Sequence, residues 1–448
     1  TIVTGVQTCA LPISLWFFSP VIAWYIGREN DNKTYNISPN DENMLRRLAR
    51  ETWGYFDDFV NEENNWLAPD NYQVKPYRGV ANRTSPTNIG MGFTSSLAAY
   101  DFGYIDMTES VDRISKIMDS LDSLEKYKGH LYNWYDTLTK APLMPRYIST
   151  VDSGNLAAYM WVLEESLKEY LNSSYLNSSV KKGICDTLEL ANEEVHLKLG
   201  INDFYIDDIN NIKESDFSLK FWIEFLKNIA KKFVIIEESA NDTELYWNSK
   251  LKQDVKRYYY NVQKNFGWIE EVEDNSVDKL VFNIPIKNVN KFLDKFISEN
   301  NNIEEDILKA IEETKETIHS LIDEINNLIK KCELFVQNMD FKMLYDEKRG
   351  LFSIGYYIEN QSLSNSYYDL LASEARQASF VAIAKGEVET THWFKLGRSM
   401  AIIGMNKGLV SWTGTMFEYL MPLLIMKPYP NTLLDETYKS IEIGRAHV

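Results

Sequence analysis

The chain has 448 residues, 44% of them hydrophobic, 13% aromatic and 25% charged, which is enough for about three average domains or one large helical ring. A formal net charge of −18 and an isoelectric point near 4.9 exclude a phosphate-backbone partner, and so nucleic acid. Three cysteines (Cys9, Cys185 and Cys332) without metal-ligand spacing exclude a disulfide framework and suit a reducing compartment, and the five histidines include no HxxxH pair that would suggest zinc.

Residues Leu11 to Gly27 are almost continuously apolar and give way to Arg28, Glu29 and Asn30. A spanning helix needs ~20 apolar residues. This run is shorter and contains Pro12 and Pro20, so it reads as the end of a membrane helix, an interfacial segment or a truncated signal. No small-residue cleavage motif follows, which sets aside secretion. Arg28, Lys33, Arg46, Arg47 and Arg50 follow closely and favour a cytoplasmic exit. Residues 1–14 and 441–448 are similar to translated sequencing-adapter read-through. They are left out of fold reasoning, with the natural protein expected to continue in both directions.

Residues 40–60 carry Leu45, Leu48, Trp53, Phe56 and Phe59 at helical spacing, with Asn40 or Asp41 as N-cap. A second helix is predicted where Thr84 or Ser85 caps and Pro86 opens, running to the stop at Gly103. A third covers 108–128 and ends at Gly129; a fourth starts at Asn155 and runs to 172.

Between the last two lies a stretch with no clean period, Gly129-His130-Leu131-Tyr132-Asn133-Trp134-Tyr135-Asp136-Thr137, continued by Pro145-Arg146-Tyr147-Ile148-Ser149-Thr150-Val151-Asp152-Ser153-Gly154-Asn155. Such a mixture builds a poor core, because its buried amides and carboxylates all need partners. It suits a cleft for sugars. Rings offer flat apolar faces to a pyranose, while Asn and Asp reach its hydroxyls. The plainer reading is a polar loop joining two helices.

Helices alternating with aromatic-polar loops place these residues at one end of a helical array, the layout of an α/α toroid. Residues 173–340 differ, being rich in Asn, Lys, Glu and Ile. Ile307, Ile311, Ile318, Leu321, Ile325 and Leu328 sit at heptad-like spacing, which predicts a helical, partly coiled insertion packed over the core or acting as a lid. Residues 38–172 and 341–440 then form the two parts of the array. The second opens with a β-hairpin around the charged turn within 345–356.

Glycosyl transfer needs an acid for the leaving oxygen and a second carboxylate. Four carboxylates stand in unusual settings. Glu374 lies among Ala372, Ser373 and Ala375 at the start of an apolar helix, where burial would raise its pKa. Glu418 lies beside Trp412 and Phe417, and Asp136 and Asp152 lie in the aromatic-polar loops. Each has a structural alternative: Glu374 paired with Arg376 or capping a helix, Glu418 a buried structural carboxylate, Asp152 a cap. Arg83 and Arg146 are candidates to hold carboxylates in place. No GxSxG elbow and no phosphate-binding glycine loop is present, and no cofactor or metal is expected.

The segments NRTSPTNIG (82–90), GHLYNWYDT (129–137), PRYISTVDSGNL (145–156), YYDLLASEAR (367–376), HWFKLGR (392–398) and SWTGTMFEYLMPLL (411–424) resemble the central, glycoamylase-like domain of cyclic β-1,2-glucan synthases. The resemblance covers roughly 15–440 outside the insertion. It implies an (α/α)6-toroid-like barrel, all-α and incomplete at its C-terminus, with the long helical insertion and a small β-hairpin. It also implies an anomer-retaining transglycosylase that closes linear β-1,2-glucan into a ring. Its neighbours would be the glycosyltransferase and phosphorylase-like domains of one synthase at the bacterial inner membrane, facing the cytoplasm, with residues 15–27 ending a membrane helix. Glu374 then corresponds to one catalytic glutamate, the general acid/base. The other belongs to a Trp-Gly-Ile-Ser-Glu-Ser motif that this sequence does not contain. Glu418, Asp136 and Asp152 become supporting carboxylates, and Arg83, Asn133, Trp134, Tyr135, Arg146, Asn155, Tyr368 and Trp412 substrate-binding residues. The alternatives are an endo-β-1,2-glucanase and a glucan-holding module without turnover.

Overall fold

The computed structural model describes residues 16–21, 37–214, 218–240, 243–272, 277, 280–300, 303–403 and 406–442. The expected tail over 1–14 and most of the one over 441–448 lie outside these. Of the N-terminal apolar run only 16–21 is described, as an exposed helical segment. Among the described residues no helix is long and apolar enough to cross a membrane.

The expected helical class is borne out: among the described residues 63% are helical, with short strands and no closed sheet. The first long helix, Pro39–Phe59, begins one step earlier than read from the sequence. Ser38, not Asn40 or Asp41, is its N-cap, its hydroxyl accepting from the Asp41 amide, because Pro39 is preorganised for the first helical position. The next helix, Pro86–Phe102, has Ser85 as cap and ends on Gly103 at φ 78, as the Thr/Ser-Pro and Gly signals predict. The third, Met107–Ser123, stops short of Gly129, since residues 126–131 turn into a two-strand ribbon.

The largest departure is at the fourth helix. It runs Thr150–Tyr170, five residues earlier than expected, because Ser149 caps it through the Asp152 amide. Asp152 is therefore inside the first turn and not itself the cap.

Between 180 and 338 the described residues form further helices, of which Glu305–Asn338 is the longest. Its six heptad-spaced apolar residues are all buried, and it lies along Thr150–Tyr170. One hydrophobic cluster runs from Trp53 to Val388 through this whole region. Arg50, fully buried, ties it further: its Nε donates to Thr187 Oγ1 at 2.8 Å and its Nη2 to Asp254 at 3.1 Å. Breaking such a buried pair costs about 3–5 kcal/mol.

Short ribbons then shape the end of the array. The expected hairpin forms between Tyr345–Asp346 and Leu351–Ser353. The chain beyond it does not stay in that hairpin: Gly355–Tyr357 pairs antiparallel with Tyr147–Ser149, and Tyr367–Tyr368 returns along Leu351–Ser353. A side chain at Gly355 would lie 2.2 Å from the Ile148 carbonyl, so the pairing requires glycine there. These ribbons lead the chain into the helix Arg376–Ala384, which crosses Thr150–Tyr170 with Gly154 against Ala378.

Candidate active site

Two helix starts face each other at this crossing. Thr150–Tyr170 carries Asp152 in its first turn, and the turn before Arg376–Ala384 carries Glu374. A built Cβ on Gly154 would come within 2.5 Å of the Ala378 backbone, so the close approach depends on glycine. Between the two helix starts is a cleft of about 470 Å³, lined among others by Asn133, Trp134, Asp152, Asn155, Tyr368 and Glu374. Six of the twelve residues singled out in the sequence thus meet in one place.

Hydrogen bonds fix most of these side chains. Thr87 donates its hydroxyl proton to Asp152 Oδ1 at 2.6 Å and accepts from Asn155 Nδ2 at 3.1 Å. With its amide set by its neighbours, Asn133 donates to Asp152 Oδ2 at 3.0 Å and accepts from the Trp134 indole Nε1 at 3.0 Å. A continuous chain therefore links Asn155, Thr87, Asp152, Asn133 and Trp134. Arg83 lies over the Trp134 ring at 4.7 Å while both its Nε and Nη2 donate to Asp70 Oδ2. The indole is held on an edge by an amide and on a face by a guanidinium.

Glu374 is held differently. It is half-buried, and among the described residues its carboxylate has no ion-pair partner. The expected alternative pairing with Arg376 does not occur. That guanidinium is buried on the far side, donating to the carbonyls of Ser373 and Tyr419 and to the Tyr438 hydroxyl. Burial, then the charges of Asp152 and Glu418, push Glu374 up to about 7. Asp152 is also raised by burial, opposed by hydrogen bonds from Thr87 and Ser149. Of the two, Asp152 has the donors that stabilise a carboxylate, so the proton belongs on Glu374. The Tyr159 and Tyr368 phenols are raised too, first by burial and then by Glu374.

The other named residues lie around the cleft. Asp136 folds its own loop: its Oδ1 accepts from the amides of Leu138 and Thr139 and from the Thr139 hydroxyl. Tyr135 is fully buried, its hydroxyl donating to the Glu125 carbonyl and accepting from the Tyr132 amide. Arg146 pairs with Glu125 at 3.2 Å. Glu418 accepts from the amides of Trp412 and Thr413 and from the Thr413 hydroxyl, and thereby shapes the loop that leaves Trp412 exposed. Its neighbour Phe417 lines the cleft. Thr87, Asn88, Tyr147 and Ser149 also line it and were not singled out as site residues. The Thr-Ser-Pro-Thr-Asn run signals a helix start, which it is, but a first turn also presents side chains outward at the array's end.

No protein-family model matches the chain. Over 438 residues it is 32% identical to the cyclic β-(1,2)-glucan synthase NdvB of Rhizobium meliloti strain 1021, a match covering 97% of this chain and 14% of that protein. The relationship to the cyclic β-1,2-glucan synthases is borne out. The chain spans about one seventh of that relative's length. Among solved structures, a putative glucoamylase from Bacteroides caccae aligns at a TM-score of 0.42 and 11% identity, over 84% of this chain and 57% of its own. An endo-β-1,2-glucanase from Chitinophaga pinensis aligns at 0.42 and 11%, over 86% and 58%. At that level neither bears on the chemistry of the cleft.

Proposed function

We propose that the cleft processes β-1,2-linked glucan within a larger cyclic β-1,2-glucan synthase, joining a chain to its own end by anomer-retaining transglycosylation. The observation that carries this reading is Glu374: a half-buried carboxyl raised to about 7, without a cation partner among the described residues, facing a hydrogen-bonded Asp152 across a polar cleft beside an oriented indole. A pKa near the working pH lets one group act as acid and then as base. Glu374 would protonate the glycosidic oxygen as its bond to the anomeric carbon breaks, while a second carboxylate takes that carbon into a glycosyl-enzyme. Glu374, now ionised, would then take the proton of an incoming sugar hydroxyl, which attacks the same carbon and releases the second carboxylate. The second carboxylate is assigned to the Trp-Gly-Ile-Ser-Glu-Ser motif expected outside this sequence, and the ring fold to an α/α toroid completed there. The glycosyltransferase and phosphorylase-like domains, and a membrane setting, belong to this proposal on the same grounds.

Trp134 gives the reading a direct test in the chain itself. Its ring is the platform for a pyranose face, so a β-1,2-linked gluco-oligosaccharide should change its fluorescence on binding. Trp134→Ala should weaken binding by about tenfold or more, the range of one lost aromatic contact. Absence of any binding to the unaltered chain, or equal binding by the Ala variant, would count against a glucan cleft built on Trp134.

A further inference from the structure

Among the described residues, two side-chain atoms of the cleft lining have no hydrogen-bond partner. Asn155 is 1% exposed and its Oδ1 accepts nothing; the Nδ2 of Asn88, on the facing helix start, donates to nothing. Buried polar atoms are almost always paired, and each exception needs an explanation. The orientation of Asn155 follows from its neighbour. Because the Thr87 hydroxyl gives its proton to Asp152, Thr87 can only accept from Asn155, which fixes the NH₂ group on Thr87 and leaves the carbonyl oxygen free.

The cleft thus offers one free acceptor and one free donor from neutral amides, on helices that the Asp152–Thr87–Asn155 bonds hold together. A phosphate would leave the acceptor unmatched, and an ammonium would leave the donor unmatched. A hydroxyl matches both, donating once and accepting once. We propose that Asn88 and Asn155 form a subsite for one hydroxyl of a neutral sugar, with Asn155 Oδ1 accepting from that hydroxyl and Asn88 Nδ2 donating to it. This rests on the glucan reading above; it adds Asn88 to the site and gives Asn155, already a substrate-binding candidate, a defined contact. Because Asn155 shares the Thr87 hydroxyl with Asp152, the hydroxyl is read in fixed register with the carboxylate opposite Glu374.

The test is calorimetric titration of the whole chain with a β-1,2-linked glucotriose and its singly deoxygenated analogues. With the unaltered chain, one analogue should bind at least about tenfold more weakly than the parent, since its missing hydroxyl leaves two buried amide groups unmatched. Asn155→Leu, close to isosteric, should weaken the parent sugar by about tenfold and abolish the difference between parent and that analogue. Asn88→Ala, at a half-buried position, repeats the test where the fold is least at stake, and thermal melting confirms that each variant is folded. Parent binding unchanged in both variants, or a deoxy penalty that survives in both, overturns the subsite and leaves the glucan reading standing. Failure of the unaltered chain to bind the trisaccharide overturns both.

Discussion

Replacing Glu374 by Gln should stabilise the protein, and only at high pH. The carboxyl moves from an ordinary 4.5 to about 7 in the fold, chiefly through burial and then through the charges of Asp152 and Glu418. Below pH 4.5 the group is protonated in both folded and unfolded chains and adds no cost. As pH rises from 4.5 to 7 the unfolded chain releases its proton while the folded one keeps it, so stability falls; above 7 the loss is complete. The shift corresponds to about 3 kcal/mol, reduced to roughly 1–3 kcal/mol by partial solvent contact. Gln has the same shape and no charge. Glu374→Gln should therefore match the wild type at pH 4 and exceed it by that amount at pH 8. With roughly 2.1 cal/mol/K of unfolding entropy per residue, the gain in melting temperature is about 1–3 °C. Melts of both proteins at the two pH values measure it. A difference independent of pH, or a less stable variant at pH 8, would refute the assignment of a raised carboxyl.

Asp152→Asn removes a like charge facing Glu374, so the ionisation midpoint of Glu374 should fall by about one pH unit; carboxyl-labelled glutamate NMR reads it, and an unmoved midpoint contradicts the pairing. Gly154→Ala places a methyl 2.5 Å from the Ala378 backbone and should cost about 1–3 kcal/mol, seen in urea unfolding; unchanged stability would mean that the helices are not in contact there. His130 is lowered to about 4, first by burial, so its contribution is present above pH 6.5 and lost as pH falls toward 4. His130→Asn should flatten that acid limb in the same melts, and an unchanged limb would place the titrating group elsewhere.

Where chemistry and local structure use the same residue types, the sequence was ambiguous, and the cleft shows why. Asp136 and Asp152 both sit in aromatic-polar loops, yet Asp136 closes an Asx turn on Leu138 and Thr139 while Asp152 faces the cleft. The difference is Ser149. By capping the helix it frees Asp152 for Thr87 and Asn133, residues 65 and 19 positions away that no local pattern connects. Glu374 was legible because small residues around a lone carboxyl announce burial whatever the tertiary partners. Tyr135 and Arg146, expected as sugar contacts, are not among the residues that line the cleft: an aromatic or a guanidinium in a loop carries no mark of its partner, and Tyr135 is buried on the Glu125 carbonyl while Arg146 pairs with the Glu125 carboxylate at the surface. The helices were legible from caps and periodicity. The ribbon joining Gly355–Tyr357 to Tyr147–Ser149 spans some two hundred residues and leaves no periodic trace.

Action of Glu374 on a glucan chain can be measured directly. A protein extended through the Trp-Gly-Ile-Ser-Glu-Ser motif should be incubated with linear β-1,2-glucan and its products resolved by mass. Products lighter than their linear counterparts by one water are expected, and none from Glu374→Gln. Turnover that persists in the Gln variant would contradict the role of Glu374, and linear fragments alone would contradict cyclisation.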